Sequence, residues 1–351
     1  MVETKTRYDY IDTAKGWGIL LIMIGHLGVF MLPSLLSLQI WIYSFHIPMF
    51  FMLSGFLFSP DQAVKTFLFK KLKSIVIPYF CTGTIIILYE LYDAATKSTL
   101  SWKFVVDEFL ALLIQRRTWT IWFLGALLVV NLLLYFLKKL IKNDVIVTII
   151  SFAFAVLGLL YYHFGGDKLP WDIDAAVCVL PFFFGGYLIR KHLPYFREKL
   201  KKKLKVFILF AFFLAVNIIT GLINYHSGKV ITDVFAMRYG FAPLFYLSAF
   251  SGSIAVILFS VLVSPKPIRY IGKNSLTYFA FHQTIMLPVT YAMLSRAHIT
   301  IDKSSEWWVM ILYWILVLFI INFRLTIWNF VLTHTRFSFI VGKWKKKTQQ
   351  T

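Results

Sequence analysis

Charged residues are scarce in this sequence, and their scarcity excludes an ordinary soluble fold. Only 15% of the 351 residues are charged and 59% are hydrophobic, whereas soluble domains are about a quarter charged and about half apolar. There are two cysteines, Cys81 and Cys178, and both lie within apolar stretches, which favours buried thiols over a disulfide. The sequence also lacks a Gly/Ser-rich linker and a repeat of fixed period, so nothing in it predicts separate modules.

Long apolar runs are what the sequence has in abundance. They fall in blocks of about twenty residues, the length at which a helix crosses about 30 Å of hydrocarbon. The runs are continuous and do not alternate, and lipid offers no hydrogen-bond partner to an open backbone, so they predict membrane-spanning helices. The apolar segment 104–114 is too short to span and is interpreted as amphipathic or re-entrant. The ten predicted spans are 14–32, 38–58, 74–92, 119–137, 145–163, 173–189, 206–223, 243–263, 275–294 and 306–323.

The distribution of positive charge predicts the orientation of these spans. With the N-terminus in the cytoplasm, 27 of the 36 Lys and Arg residues fall in inner segments, as the positive-inside rule requires. The net charge of +20 is therefore a topology signal and does not indicate nucleic-acid binding, although the basic face would also favour anionic lipids. We expect an all-α polytopic membrane helix bundle that forms one domain over residues 1–351, with ten transmembrane helices and both termini cytoplasmic.

Span 1 carries polar residues at helical spacing. Asp12 and Lys15 are three residues apart and can pair along the helix. Lys15 and His26 are eleven apart, so they share a face and are separated by about 16 Å along the axis. Polar side chains are expensive inside a membrane, which makes these three residues candidates for function. A role for His26 in packing against a neighbouring helix is the alternative.

Span 2 carries a second histidine at a similar depth. His46 lies about 12 Å from the predicted outer end of this span. Pro48, two residues later, removes a helix hydrogen bond and allows a kink. Two histidines at one level favour chemistry over packing, because histidine is the natural general base for a hydroxyl group. Ser54 lies further in and has no base at its depth, so a binding or packing role is expected for it, and Gly55 permits close approach of another backbone.

The loop after span 2 is basic. Lys70 and Lys73 are one helical turn apart at the predicted cytoplasmic surface. They are typical of a positive-inside loop, and they could also bind the phosphates of a nucleotide through point charges.

These residues resemble membrane acyltransferase family 3, in its carbohydrate O-acetyltransferase branch, which includes the fucose-O-acetylase-like proteins. The similarity is dense in spans 1 and 2 and sparser later in the chain. The matching positions are Asp12-Thr13-Ala14-Lys15, His26, Ser44 to Phe51, Ser54-Gly55-Phe56, Trp122-Phe123-Leu124, Leu169-Pro170-Trp171 with Asp174, and Gly272 to Leu276 with Tyr278 and His282.

The resemblance implies transfer of an acetyl group from cytoplasmic acetyl-CoA to a sugar hydroxyl of a cell-surface or lipid-linked polysaccharide. A location in the bacterial plasma membrane is expected, with no metal. His26 would be the general base, assisted by His46 and tuned by Asp12 and Lys15. The remaining candidates are binding residues: Lys70, Lys73 and Ser54 for the cofactor acetyl-CoA, and Trp122 and His282 for the substrate.

The sequence departs from the family pattern at three places. Lys15 stands where the family usually has arginine, and Lys70 to Lys73 replace an Arg-x-x-Arg motif, which keeps the charge but loses bidentate geometry. A glutamate found in some members has no counterpart beside Trp122. Some members also carry a fused extracellular domain, and without one the transfer is expected to finish within the membrane domain.

Two other classes of protein remain open at this point. Ten spans with buried polar residues and helix-interrupting prolines also suit a transporter or flippase of a small metabolite or lipid-linked glycan, although no paired interrupted helices occur in matching halves. A non-catalytic membrane scaffold is the third class, but it would leave the histidines without a purpose. The acceptor sugar, the oligomeric state, and the choice between direct transfer and an acyl-enzyme stay open.

Overall fold

The fold is helical throughout the part of the chain that the structure describes. A computed structural model describes residues 8–27, 36–115, 120–301 and 305–344. It is 81% helical and contains no strand among these residues, which confirms the predicted all-α class. Cys81 and Cys178 are both free thiols, and Cys178 is buried.

Sixteen α-helices are present in the described ranges. They are α1 (Asp9–His26), α2 (Leu36–Tyr43), α3 (His46–Phe56), α4 (Val64–Lys71), α5 (Ile77–Thr96), α6 (Trp102–Ile114), α7 (Trp122–Leu140), α8 (Asp144–His163), α9 (Ile173–Lys191), α10 (Leu193–Lys199), α11 (Lys203–Gly228), α12 (Ala242–Leu262), α13 (Lys266–Lys273), α14 (Ser275–Phe281), α15 (Leu287–Arg296) and α16 (Trp307–His334).

Within the described ranges, eight helical stretches are long and apolar enough to cross a membrane. Two predicted spans are helical but fall outside these eight. The first is α1, which carries three charged residues, and its predicted continuation over 28–32 lies outside the described residues. The other is 275–294, which is divided among α14, a π-helical turn and α15. The count of ten spans and the cytoplasmic position of both termini therefore stay predictions. The eight stretches are Leu36–Phe56, Val64–Thr96, Trp122–Leu140, Asp144–His163, Pro170–Lys191, Lys203–Gly228, Ala242–Leu262 and Trp307–His334.

Prolines explain where these stretches change geometry. Pro48 has no N–H to donate to the carbonyl four residues earlier, and the chain is interrupted just there, between α2 and α3. Pro78 and Pro288 follow the π-helical turns Leu72–Val76 and His282–Met286. In a π turn the backbone hydrogen bonds join residues five apart. This spacing accommodates a proline without breaking the helix.

The segment 59–73, predicted as a loop, is mostly helical. Helix α4 begins at Val64 and runs through the π turn into α5, so one helical stretch covers Val64–Thr96. Helix α4 buries Phe67 and exposes Phe69 beside lysines. Because three of its eight residues are lysines, a search for apolar runs does not detect it.

The chain forms two compact units. Unit 1 comprises Met1–Phe58 and Val179–Ser275, and unit 2 comprises Ser59–Cys178 and Leu276–Thr351. In unit 1, α11 packs along α12, α1 packs on α13 and α12, and α3 packs on α12 and α1. In unit 2, α5 packs on α6, and α15 packs on α16.

Candidate active site

The break between α2 and α3 positions His46. His46 is the first residue of α3, and its ring folds back so that Nδ1 lies 2.9 Å from the carbonyl oxygen of Ile42. A carbonyl can only accept, so Nδ1 carries the proton and, in the neutral ring, Nε2 carries the lone pair. The side chain is 8% exposed. The ring is therefore fixed in the tautomer that a general base requires at Nε2.

A buried network of hydrogen bonds stabilises the break between α2 and α3 within unit 1. Asn217 of α11 donates from Nδ2 to Ser44 Oγ at 2.9 Å, and the same group lies 2.9 Å from both the carbonyl and Oγ of Ser248 in α12. Asn217 and Ser248 are fully buried. Polar groups of this kind hold helices together where lipid supplies no partner. The network therefore fixes the segment on which His46 depends.

His26 lies beside His46. It is the last residue of α1 and is half-buried, and the two histidines are close enough to interact electrostatically. Tyr43 stands next to both positions, because its ring centroid is 4.9 Å from that of His46 and its hydroxyl donates to the carbonyl of Gly25 at 3.4 Å. The structure thus brings together the two histidines that the sequence placed at one depth.

An acidic residue that the sequence did not reveal completes this group. Asp233 lies in the segment between α11 and α12 and interacts electrostatically with His26, Tyr43 and His46. Its Oδ2 also accepts from Arg238 Nη2 at 3.0 Å. The only sequence signal was an acid and a base five residues apart between two predicted spans, and that signal does not show which way the carboxylate points.

The segment that carries Asp233 has a defined conformation. Asp233 and Arg238 form an isolated antiparallel β-bridge, with backbone bonds of 2.7 and 2.9 Å. Asn224 of α11 fixes the part of this segment that leads into α12. Its side chain donates to the carbonyl of Tyr239 at 2.8 Å and accepts from the N–H of Phe241 at 2.7 Å. Such anchoring holds the carboxylate in place, as a site on a loop requires.

Asp12 and Lys15 lie on α1, nearly four turns and about three turns before His26. Asp12 is buried and Lys15 is half-buried. The neighbouring Thr13 is fully buried and its Oγ1 lies 2.6 Å from Ser264 Oγ, which fixes this end of the helix. Asp9, at the start of α1, forms an ion pair with Arg269 of α13. Pairing of Asp12 with Lys15 stays a prediction, as does their effect on His26.

Ser54 lies on α3, on the same helix as His46 and about 12 Å from it along the axis. Its side chain is half-buried. A Cβ on Gly55 would lie 1.8 Å from the carbonyl oxygen of Phe183 in α9, so the close backbone approach predicted at Gly55 is present. Ser54 therefore lies at a tight helix contact and away from the histidines.

Lys70 and Lys73 belong to unit 2. Lys70 is exposed and donates to Gln62 Oε1 at 2.7 Å. Lys73 is held by aromatic rings, with its ammonium group 4.3 Å from the centroid of Phe69 and 4.8 Å from that of Trp344. Cation–π contacts of this kind are worth about 0.5–1 kcal/mol at exposed sites. The two charges are present, and each already has a local partner.

Trp122 and His282 also belong to unit 2, and contacts between aromatic rings link the residues next to them. Trp122 is buried at the start of α7. The next residue, Phe123, has its ring centroid 5.2 Å from that of Phe279, which lies 6.3 Å from the ring of His282. His282 Nδ1 lies 2.9 Å from the carbonyl oxygen of Phe279, which fixes its tautomer as at His46. Their predicted role in substrate binding stays a prediction.

Comparison with known families agrees with this architecture. The family model described as an acyltransferase domain, that of acyltransferase family 3, matches residues 8–323 and so covers nearly the whole chain. Comparisons with curated proteins and with solved structures gave no significant match. The match includes both histidines, Asp233 and most of the spanning helices. The chain therefore belongs to acyltransferase family 3 and is a multi-pass membrane acyltransferase.

Proposed function

We propose that this acyltransferase moves an acetyl group from cytoplasmic acetyl-CoA to a hydroxyl of a cell-surface or lipid-linked polysaccharide sugar. We further propose that it acts in the bacterial plasma membrane. The observation that carries the proposal is the group formed by His26, His46, Tyr43 and Asp233 in unit 1. A histidine pair beside a carboxylate supplies the base that a weakly acidic hydroxyl needs.

In the proposed reaction, His26 accepts the proton of the sugar hydroxyl. The sugar oxygen attacks the carbonyl carbon of the thioester, a C–O bond forms and the C–S bond breaks. The imidazolium then returns its proton to the CoA thiolate, so the products are the acetyl ester and free CoA. Asp233 stabilises the imidazolium while it carries the charge, and His46 holds the donor or the acceptor through Nε2.

The two substrates would approach from opposite sides of the membrane. The positive-inside assignment puts Lys70 and Lys73 on the cytoplasmic side, where their charges would meet the phosphates of CoA. It puts the segment carrying Asp233 on the outer side, where the glycan is. Lys15 with Asp12 would tune His26 from within its helix, Ser54 would contribute to the donor path, and Trp122 and His282 would contribute to acceptor binding.

The test compares His26→Gln with His46→Gln. Glutamine keeps a polar side chain but cannot act as a base. We expect His26→Gln to lower acetate on the cell's glycans, and thiol release from acetyl-CoA by purified protein, by about 10²–10⁴-fold, the range of general base catalysis. His46→Gln should cost less if His46 only assists. His163→Gln, at an exposed position of α8, is the matched control.

Two results would contradict this proposal. One is normal glycan acetylation by His26→Gln at normal protein levels. The other is wild-type protein that transports a solute and releases no thiol from acetyl-CoA, because that behaviour belongs to a transporter or flippase. A larger loss in His46→Gln than in His26→Gln would exchange the roles of the two histidines.

A further inference from the structure

A second buried polar cluster lies in unit 2. It is formed by Gln115, which follows α6, and by Asp172 and Asp174 at the start of α9. Their exposures are 3%, 4% and 5%. The charge distribution predicts that this end of both helices faces outward.

Three oxygens of this cluster lack a hydrogen-bond partner among the described residues. They are Gln115 Oε1, Asp172 Oδ2 and Asp174 Oδ1. The side chain of Gln115 is directed at the cluster, since it hydrogen-bonds to Asp172. Buried polar atoms are rarely left unsatisfied, because each one costs about 1–3 kcal/mol when it loses water without gaining a partner. Three unsatisfied acceptors in one place indicate a ligand that donates hydrogen bonds.

Helix capping accounts for only part of this arrangement. Asp174 accepts backbone N–H groups at the start of α9, as an acid in a first turn commonly does. Capping uses one acceptor oxygen, however, and leaves Asp174 Oδ1, Asp172 Oδ2 and Gln115 Oε1 unexplained. The backbone is also in the left-handed region at Gln115, Trp171 and Asp172, with φ of 51°, 60° and 49°. Such conformations cost energy, and they persist where a site depends on them.

The neighbouring charges and rings identify the kind of donor. Lys168 is exposed and interacts electrostatically with both carboxylates. Positive charge is thus present nearby, whereas the three oxygens have no hydrogen-bond donor among the described residues. Trp171 is half-buried beside them, with its ring centroid 5.1 Å from Tyr79 and 6.2 Å from Phe80. Converging acceptors beside an aromatic surface suit a neutral polyol with an apolar face.

We propose that Gln115, Asp172 and Asp174 bind the hydroxyl groups of a sugar whose ring lies against Trp171. This inference rests on the proposed function where it takes the sugar to be part of the acceptor glycan. The binding of sugar can be tested without that assumption. A site built to accept from hydroxyl groups would also select the acceptor, because an analogue lacking them leaves the buried oxygens unpaired.

The experiment measures saturation-transfer NMR between detergent-solubilised full-length protein and two neutral probes, chitotriose and maltotriose. We expect transfer to at least one sugar, and at least a tenfold loss of affinity in the double variant Asp172→Asn, Asp174→Asn. Asparagine caps a helix as well as aspartate does, so the thermal midpoint should stay close to wild type. The matched control is Asp107→Asn, Asp167→Asn, at two exposed positions of unit 2. Gln115→Met removes the third acceptor and should also weaken binding.

Three outcomes would overturn the proposal. They are equal sugar binding in the wild type and the Asp172→Asn, Asp174→Asn variant, the absence of transfer to either sugar, and binding of methylammonium in place of sugar. Thiol release from acetyl-CoA separates this result from the proposed function. If the protein binds sugar through the two aspartates but releases no thiol, the sugar site is supported and the proposed acetyl transfer is contradicted.

Discussion

The two units differ in whether any of their helical glycines has a neighbouring backbone as its nearest contact. In unit 1, four glycines approach a neighbouring helix backbone to backbone, and the other helical glycines meet side chains. A Cβ on Gly16 would lie 2.0 Å from the carbonyl oxygen of Ile268, and one on Gly272 would lie 1.6 Å from that of Asp12. Gly186 is similar, since its Cβ would lie 1.9 Å from a backbone oxygen.

In unit 2, the glycines within helices meet side chains. A Cβ on Gly83 would lie 2.4 Å from a methyl group of Leu112, and one on Gly125 would lie 3.2 Å from the side chain of Gln115. The end of a side chain can rotate away, whereas a backbone carbonyl cannot move without moving its helix.

This difference indicates how each unit serves its site. The close approaches in unit 1 involve α1, α3, α9 and α13, and two of these helices carry His26 and His46. Chemistry requires groups held within about 0.5 Å of the productive geometry, and fixed backbones achieve that. Unit 2 packs through adaptable side chains around a polar cluster. Under the proposed function, unit 1 would be the catalytic part and unit 2 the part that recognises substrates.

The largest expected effect tests the packing of unit 1 directly. Gly272→Ala places a methyl group against the backbone of α1, which has no room for it. We expect the variant to lose its folded, monodisperse form in detergent, with activity lost as a consequence. Gly83→Ala, in unit 2, should cost only about 1–3 kcal/mol, because Leu112 can repack. Size-exclusion profiles and thermal midpoints measured side by side check this, and similar losses in both variants would remove the distinction between the units.

A smaller effect is expected from Asp233, the carboxylate that interacts electrostatically with the histidines. Asp233→Asn keeps the shape of the side chain and removes its charge. We expect kcat to fall about 10²-fold with little change in the KM for acetyl-CoA, because the imidazolium loses its stabilising partner. Asp233→Glu should restore part of the rate, which a purely structural role would not explain. Asp93→Asn, at an exposed ion pair of unit 2, is the control. A rise in KM at constant kcat would instead assign Asp233 to binding.

Local patterns in the sequence predicted much of this architecture. Run length predicted helical spans, and the free thiols followed from their apolar surroundings. Spacing placed Lys15 and His26 on one face, and Pro48 indicated the interruption ahead of His46. All of these depend on neighbours within a few turns of helix, which is the range over which sequence periodicity carries information.

The features that the sequence did not reveal depend on long-range contacts. Asp233 lies 207 positions after His26, and only the folded unit shows that its carboxylate is close enough to interact electrostatically with the histidines. Helix α4 carries too many lysines to register as an apolar run. Asp174 was visible only as part of a family resemblance, and its partnership with Gln115 and Asp172 requires the packing of unit 2. The partners of a polar side chain are therefore known only from the folded structure.

The smallest expected effect concerns the basic surface of unit 2. Lys70 and Lys73 each have a local partner, so their charges would strengthen donor binding without creating it. We expect Lys70→Met, Lys73→Met to raise the KM for acetyl-CoA about two- to fivefold at low salt, the range of exposed charge pairs. The difference should disappear at about 0.5 M salt, because screening removes the interaction. S-acetylpantetheine, which lacks the nucleotide phosphates, should show no difference, and Lys97→Met is the exposed control. An equal rise in KM for both donors would mean that the lysines support the fold of α4 and do not bind phosphate.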